Sequence, residues 1–111
     1  MQVKPRDIEY YETAAGKIPA KERLSNVKDG LTQALLYKRI RQAGLGQFGK
    51  TRNLGEGVSE LKLDYGPGFR IYYGIYEYKL ILILMAGSKR TQESDIKRAK
   101  AYWTEWKERN R

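Results

Sequence analysis

The sequence predicts an α+β fold in which helices pack on a small antiparallel sheet. Three segments with strand character follow one another at short spacing between residues 60 and 86, which is typical of an antiparallel meander. Segments with the apolar periodicity of amphipathic helices lie on either side of this meander. The predicted order is therefore an N-terminal strand, two helices, a three-strand meander and a C-terminal helix. A chain of 111 residues suits one modest core, so we expect a single domain over residues 1–111.

The N-terminal part predicts an edge strand followed by two helices. Residues Val3–Thr13 are rich in β-prone side chains but include Pro5, which cannot donate to a strand ladder. We therefore expect an edge strand that becomes regular near Ile8. Residues Ile18–Lys28 predict a short helix, and Leu31–Ala43 predict a longer one with an apolar stripe.

The C-terminal half predicts a loop, three strands and a final helix. Residues Gly44–Gly57 are glycine-rich and predict an exposed loop. Glu60–Tyr65 and Phe69–Tyr76 alternate between apolar and polar residues, whereas Leu80–Ala86 is a continuous apolar run, as expected of a central strand covered on both faces. Gln92–Arg109 predicts the final helix. Its apolar stripe comprises Ile96, Ala99, Trp103 and Trp106.

The charge of the chain indicates an anionic partner. Lysine and arginine total 22 against 13 acidic residues, which gives a formal net charge of +9. A domain this basic attracts nucleic acid or an acidic protein through its long-range field, although a basic surface that serves only solubility is the alternative. The absence of cysteine excludes disulfides and thiolate zinc sites and favours a reducing compartment.

The sequence also predicts where the protein resides. The first residues, MQVKPRDIEYYE, lack the apolar segment of a secretory signal. The apolar run Leu80–Ala86 is far shorter than a membrane-spanning helix requires. We therefore expect a soluble, cytoplasmic protein with no membrane partner.

The segment LKLDYGPGFRIYYG, Leu61–Gly74, predicts a β-hairpin with charged and polar side chains on its outward face. A tight turn at its Gly-Pro-Gly segment would place Asp64 near Arg70 and Lys62 near Tyr72. One face of the hairpin would then comprise Glu60, Lys62, Asp64, Arg70 and Tyr72. From the hairpin alone, the simpler interpretation is a solvated face with an exposed Asp64–Arg70 ion pair.

A second basic cluster shifts the balance toward a binding site. The segment GSKRTQ, Gly87–Gln92, joins the central strand to the final helix, where backbone N–H groups and the helix dipole favour an anion. Lys89 and Arg90 would stand beside the polar face of the hairpin. Lys50 and Arg52 from the glycine-rich loop would close a third side.

Together these segments resemble the RelE/ParE toxin superfamily, and within it the HigB-type addiction module killer proteins, a group related to phage Gp49-like proteins. IEYYETAAGK resembles the opening strand and turn of that group. GLGQFGKTRNLGEGVSELKLDYGPGFRIYY resembles its central signature, and LILILMAGSKRTQESDIKRAKAYW resembles its closing one. The resemblance covers nearly the whole chain. Its specificity comes from the glycine-rich loop, the Tyr65–Arg70 turn and the Gly87–Gln92 junction taken together.

The resemblance implies the toxin component of a type II toxin–antitoxin system. Nucleolytic members of the superfamily cut mRNA on the translating ribosome and so inhibit translation, and a cognate antitoxin protein neutralises them. By position, the catalytic residues of the superfamily correspond here to Lys62, Arg70, Lys89 and Arg90. From their places around the same face, we expect RNA contacts from Lys50, Arg52 and Tyr72.

The expected chemistry is RNA cleavage through the 2′-hydroxyl, which needs a base, an acid and cations for the charged phosphorane. The chain has no histidine. A lysine crowded by other cations has a lowered pKa, so we expect Lys62, Lys89 or a tyrosine to share the proton transfer. Arg70 would clamp the phosphate. Because the acids are scattered along the sequence, we expect a metal-independent endoribonuclease without cofactors, whose substrate is positioned by the ribosome.

Two alternatives stay open. The superfamily also contains ParE-type poisons of DNA gyrase, which act by protein contact, and the chain could be a non-toxic, phage-derived interaction module. The lack of a convincing general base favours these alternatives, whereas the presence of all four candidate catalytic residues favours the nuclease. The aromatic side chains Tyr102, Trp103 and Trp106 are expected in the core rather than in a partner groove.

Overall fold

The structure, a computed structural model, describes residues 4–111. Val3, where the predicted first strand begins, lies outside the described residues. The α+β class is confirmed, and each predicted helix and strand is found within a few residues of its expected bounds. The elements are β1 (Asp7–Tyr10), α1 (Pro19–Ser25), α2 (Gly30–Gly44), β2 (Thr51–Asn53), β3 (Val58–Leu63), β4 (Phe69–Tyr76), β5 (Leu80–Ser88), a short 3₁₀ turn (Lys89–Thr91) and α3 (Gln92–Arg109).

The strands form one five-stranded sheet in the order β1-β5-β4-β3-β2. The antiparallel meander β3-β4-β5 is as predicted. The prediction of a purely antiparallel sheet is wrong, because β1 pairs with β5 in parallel, with Ile8 opposite Ile81. β1 lies at an edge of the sheet, as the proline before it suggested.

The glycine-rich segment is also more ordered than predicted. Residues Thr51–Asn53 form the edge strand β2, which pairs antiparallel with β3 and places Arg52 opposite Glu60. All three residues are exposed, so the strand has no apolar alternation that could have revealed it. The short strand fixes Arg52 and its neighbour Lys50 against the sheet.

The helices α1 and α2 cover one face of the sheet. The buried side chains there include Leu24 of α1, Leu36 and Ile40 of α2, and Ile71 and Ile83 of the sheet. The N-terminus of α2 is capped by Asp29, whose carboxylate accepts a hydrogen bond from the backbone N–H of Leu31. This face is a continuous apolar core.

Helix α3 covers the other face. Ala99 and Trp103 are buried against the sheet, as the predicted stripe requires, and Ile96 and Trp106 are half-buried. The Trp103 ring lies directly on Gly74, where an added Cβ would be 2.7 Å from the ring. The expectation that Trp103 belongs to the core is therefore confirmed. Among residues 4–111, no helix has both the length and the apolar character needed to cross a membrane.

The central strand β5 is covered on both faces, as its apolar run predicts. The pairing of β4 with β5 is irregular: Tyr72 lies opposite Met85, but Tyr73 lies opposite Ile83. The extra residue on β5 is Leu84. A bulge of this kind turns consecutive side chains to the same face, so both Leu84 and Met85 pack beneath α3.

Candidate functional site

The polar face of the β3–β4 hairpin differs from the prediction in its register. Lys62 lies opposite Arg70, and Glu60 lies opposite Tyr72. The predicted pairing of Asp64 with Arg70 is wrong by two residues. The strands end at Leu63 and Phe69, so five residues, not three, connect them. Because the shift is an even number, the predicted polar residues still share one face.

The burial of this face also differs from the prediction. Glu60, Arg70 and Tyr72 are only 3%, 6% and 0% exposed. Helix α3 crosses the sheet on this side and shields them from solvent. Lys62 and Asp64, nearer the hairpin turn, keep about half of their side chains exposed. The face is therefore a buried polar pair with an exposed rim rather than a solvated surface.

Glu60 and Arg70 form the buried centre of the site. The Arg70 Nε lies 3.2 Å from Glu60 Oε1 without hydrogen-bond alignment, while Arg70 Nη1 donates to the Gly68 carbonyl at 2.8 Å. The second carboxylate oxygen of Glu60 accepts from Arg52 Nη2 at 2.8 Å, and Gln92 Nε2 lies 3.4 Å from the first. Arg70 is thus a largely buried cation, and its Nη2 makes no hydrogen bond within residues 4–111.

A rim of exposed cations surrounds this pair. The side chains of Lys50, Arg52 and Lys62 are 71%, 63% and 42% exposed. They border a cavity of about 390 Å³, which we call the basic groove. Its lining residues are Lys50, Thr51, Arg52, Glu60, Lys62, Arg70 and Gln92. Three strands and the first turn of α3 therefore contribute to one concave, cationic surface.

Asp64 lies between two of the rim lysines. It accepts a hydrogen bond from Lys50, and its other oxygen is 3.5 Å from Lys62 Nζ. The hydrogen bond from Lys50 holds the pKa of the Asp64 carboxyl below its usual range. Counting Asp64 and Glu60 against Lys50, Arg52, Lys62 and Arg70, the groove and its border carry a net charge of +2.

Lys89 and Arg90 lie beside the basic groove but do not line it. Both are exposed on the 3₁₀ turn. The backbone N–H of Lys89 donates to the Gly68 carbonyl at 3.0 Å, and the same oxygen accepts from Arg70. Lys89 and Arg90 therefore lie close to Arg70, because the Gly68 carbonyl contacts both Lys89 and Arg70. Neither Lys89 nor Arg90 lines the basic groove itself.

The junction before α3 is not arranged as a free anion site. The Thr91 hydroxyl accepts from the backbone N–H of Ser88 and contacts the carboxylate of Asp95 at 2.5 Å. Asp95 is completely buried in the first turn of α3. Asp95 therefore adds a buried negative charge to this junction, which opposes the external anion that the sequence predicts there.

Tyr72 is at odds with its predicted contact to RNA. Its side chain is wholly buried, and its hydroxyl has no hydrogen-bond partner within residues 4–111. Burial, reinforced by the charge of Glu60, raises the pKa of the Tyr72 phenol. A nucleic acid would have to displace α3 to reach it, and the raised pKa keeps the phenol protonated at neutral pH.

Sequence reasoning missed the functional weight of Glu60. The alternation of β3 placed it on the correct face, but its burial depends on where α3 crosses the sheet. Gln92 and Thr51 were also not singled out, since neither side chain carries a charge. Within residues 4–111, no three carboxylates come together in a way that could hold a metal ion.

A comparison of the sequence with known proteins finds a relative. An uncharacterized protein of Haemophilus influenzae is 36% identical over 77 residues, which cover 69% of this chain and 78% of that protein. The chain belongs to the family of that protein. No family model matches the sequence. The relative is itself uncharacterized, so it assigns no activity to the groove.

Proposed function

We propose that the chain is the toxin component of a type II toxin–antitoxin system and that it cleaves mRNA on the translating ribosome in the cytoplasm. The observation that carries this proposal is the basic groove, where cations from β2, β3 and β4 meet in one concavity of a chain with net charge +9. The resemblance to the RelE/ParE superfamily supplies the reaction. A RelE/ParE-type topology for the mixed sheet is part of the same proposal.

The exposed rim is suited to hold the phosphates of a single RNA strand. Arg52 uses one amino group on Glu60, which leaves the rest of its guanidinium available for a phosphate. Lys50 and Lys62 stand on either side as mobile point charges. We therefore assign phosphate binding to Lys50 and Arg52. In this assignment Arg52, rather than Arg70 as predicted from the sequence, holds the phosphate with its guanidinium.

Arg70 supplies a fixed positive charge at the floor of the groove. Its side chain is only 7% exposed and is held by Glu60 and the Gly68 carbonyl, so its position does not depend on substrate. A preorganised charge in a shielded site stabilises a developing phosphorane more strongly than the same charge in water. Lys89 and Arg90 extend the positive surface along the path of the strand beyond Gly68.

Proton transfer in the groove falls to Lys62 and Asp64. The carboxylate of Asp64 is ionised at neutral pH and can accept the proton of a 2′-hydroxyl, while the adjacent ammonium of Lys62 can donate to the leaving 5′-oxygen. A carboxylate with a lowered pKa is a weak base. Positioning by the ribosome then has to supply much of the rate, which explains the expected dependence on translation.

A second candidate, a gyrase poison, is favoured by one specific feature. Within residues 4–111, every cation of the groove is paired with a carboxylate, and Tyr72 is sealed beneath α3. A binding surface needs no free base, so a satisfied ionic network fits a protein-contact surface as well. The cognate antitoxin remains the proposed neutralising partner in either case.

The two candidates are separated by two assays on the purified protein. In a translating extract, the nuclease should cut mRNA at discrete positions. Naked mRNA should be cut far less, and EDTA should not suppress the cutting in the extract. If no cuts appear and the protein instead blocks supercoiling by purified gyrase, the nuclease proposal is wrong and the poison takes its place. Inactivity in both assays would contradict both and leave the non-toxic interaction module.

A further inference from the structure

A larger cavity, which shares Arg70 with the lining of the basic groove, opens on the α1–α2 side of the sheet. Its volume is about 580 Å³, within the range of about 300 to 1,000 Å³ that is typical of small-molecule sites. It opens between α1, the start of α2 and the β3–β4 turn, and we call it the α1 pocket. Its apolar walls are formed by Leu24, Val27, Leu36, Pro67, Phe69 and Ala86.

Arg23 provides the α1 pocket with an oriented cation. Its Nη1 lies 3.2 Å from Asp95 Oδ2, 3.3 Å from the Ala86 carbonyl and 3.5 Å from the Thr91 hydroxyl. Its Nε and Nη2 make no hydrogen bond within residues 4–111, and 30% of the side chain is exposed. One edge of the guanidinium is thus anchored, and the other edge is available to an anion in the pocket.

The anchor of Arg23 is rigid. Asp95 is completely buried, and the Thr91 hydroxyl also holds its Oδ2. Gly87 passes so close that an added Cβ would collide with the Asp95 carboxylate and lie 3.1 Å from Arg23 Nη1. Because these groups cannot shift independently, Arg23 does not pay the full side-chain entropy when a ligand binds.

The charged residues at the mouth of the pocket favour an anionic ligand over a cationic one. Lys28 lines the mouth and is exposed. Asp29 is the acidic residue there, but its carboxylate is engaged by the Thr32 hydroxyl and by the backbone N–H of Leu31 at the start of α2. The cations therefore keep unused donors, whereas the carboxylate is already satisfied.

We propose that the α1 pocket binds a small amphipathic acid, with an aromatic body between α1 and Phe69 and a carboxylate on the free edge of Arg23. This inference goes beyond the proposed function, because the pocket shares only Arg70 with the lining of the basic groove and selects apolar surface together with one negative charge.

The test is a titration of the ¹⁵N-labelled protein with 1-naphthoate, followed by amide chemical shifts. Saturable shifts are expected in α1 and the β3–β4 turn. The matched neutral probe 1-naphthalenemethanol has the same ring system without the carboxylate and should bind at least about tenfold more weakly. Shifts in the first turn of α3 are also expected, because Arg23 contacts Thr91 and Asp95 there. Uniform or unsaturable shifts, shifts centred on β2 or on the C-terminal half of α3, or equal affinity for the two probes would overturn the proposal.

Two variants and one control locate the ligand. Val27→Trp should fill the pocket and weaken naphthoate binding at least about tenfold, whereas Leu45→Trp, at an exposed position outside it, should leave the affinity unchanged. Arg23→Lys keeps the charge beside Asp95 but removes the planar edge, so it should reduce the preference for naphthoate over the neutral probe. Spectra dispersed as in the wild type confirm folding. Wild-type affinity and preference in both variants would refute the site.

Discussion

Replacing Arg70 by methionine should destabilise the protein. The sequence predicts an exposed side chain at this position, where a substitution would cost little, but the structure buries it. The substitution keeps most of the aliphatic volume of the side chain and removes only the guanidinium. It leaves the Glu60 carboxylate, which is 3% exposed, without its buried partner.

The expected loss follows from the geometry of the pair. Removing one partner of a buried ion pair typically costs about 3 to 5 kcal/mol, because the other charge stays desolvated and uncompensated. Arg52 still contacts Glu60 at 2.8 Å, but its side chain is 63% exposed, so solvent screens that contact. We therefore expect about 3 kcal/mol, which lowers the Tm by roughly 12 °C for a chain of this size.

Chemical and thermal denaturation measure this loss, with Lys62→Met as the matched control. Lys62 lies directly opposite Arg70 on the same face of the sheet, but its side chain is 42% exposed and pairs with the exposed Asp64. That variant should lose less than about 1 kcal/mol. The double variant Glu60→Gln/Arg70→Met should lose less than the sum of its single variants.

The reasoning is refuted if Arg70→Met and Lys62→Met have the same stability. That outcome would show that Arg70 is solvated and that its pairing with Glu60 contributes as little as a surface ion pair. Additive single losses in the double variant would refute the coupling between Glu60 and Arg70 in the same way.

Three further predictions concern stability. Trp103→Ala should lower the free energy of unfolding in urea by about 3 to 5 kcal/mol, because it leaves a cavity between α3 and the sheet. An unchanged denaturation midpoint would show that α3 packs on the sheet by another face. Gly87→Ala should cost about 1 to 3 kcal/mol, because the new Cβ collides with Asp95; wild-type stability would mean that the strand can yield there. The pKa of Asp64 is lowered by Lys50, so its contribution is present above about pH 4 and is lost as the pH falls through the folded-state pKa. Stability should therefore drop on acidification, less so in Asp64→Asn, and identical pH profiles would contradict the assignment.

Much of the fold is predictable because its signals are local. The final helix was predicted at Gln92–Arg109, where the structure has it, since its apolar stripe, with Trp103 at the centre, repeats with helical periodicity. The meander was recognised from alternation and short turns. The parallel pairing of Ile8 with Ile81 joins segments from the two ends of the chain, and no local pattern encodes it.

The sequence predicted the charged residues of the candidate site, but it did not predict which of them are buried. Alternation placed Glu60, Lys62 and Arg70 on one face, and the net charge of +9 together with the basic cluster at Lys89 and Arg90 indicated an anionic ligand. Which of them reach solvent depends on the line along which α3 crosses the sheet, and that line is set by the close contact of Trp103 with Gly74. Arg52 gained importance through β2, a strand too short and too exposed to leave a pattern in the sequence.

The most direct test of the basic groove as an RNA-cleaving site is primer extension on mRNA from a translating extract that contains the wild-type protein, Arg52→Gln, Lys62→Gln or Lys79→Gln. Lys79 is an exposed lysine in the turn at the far end of β4, so its variant changes the net charge equally without touching the groove. We predict discrete cuts with the wild type and with Lys79→Gln. Cuts should be reduced at least about a hundredfold with Lys62→Gln and clearly weakened with Arg52→Gln. Undiminished cutting by both groove variants, or equal loss in all three variants, would contradict the account.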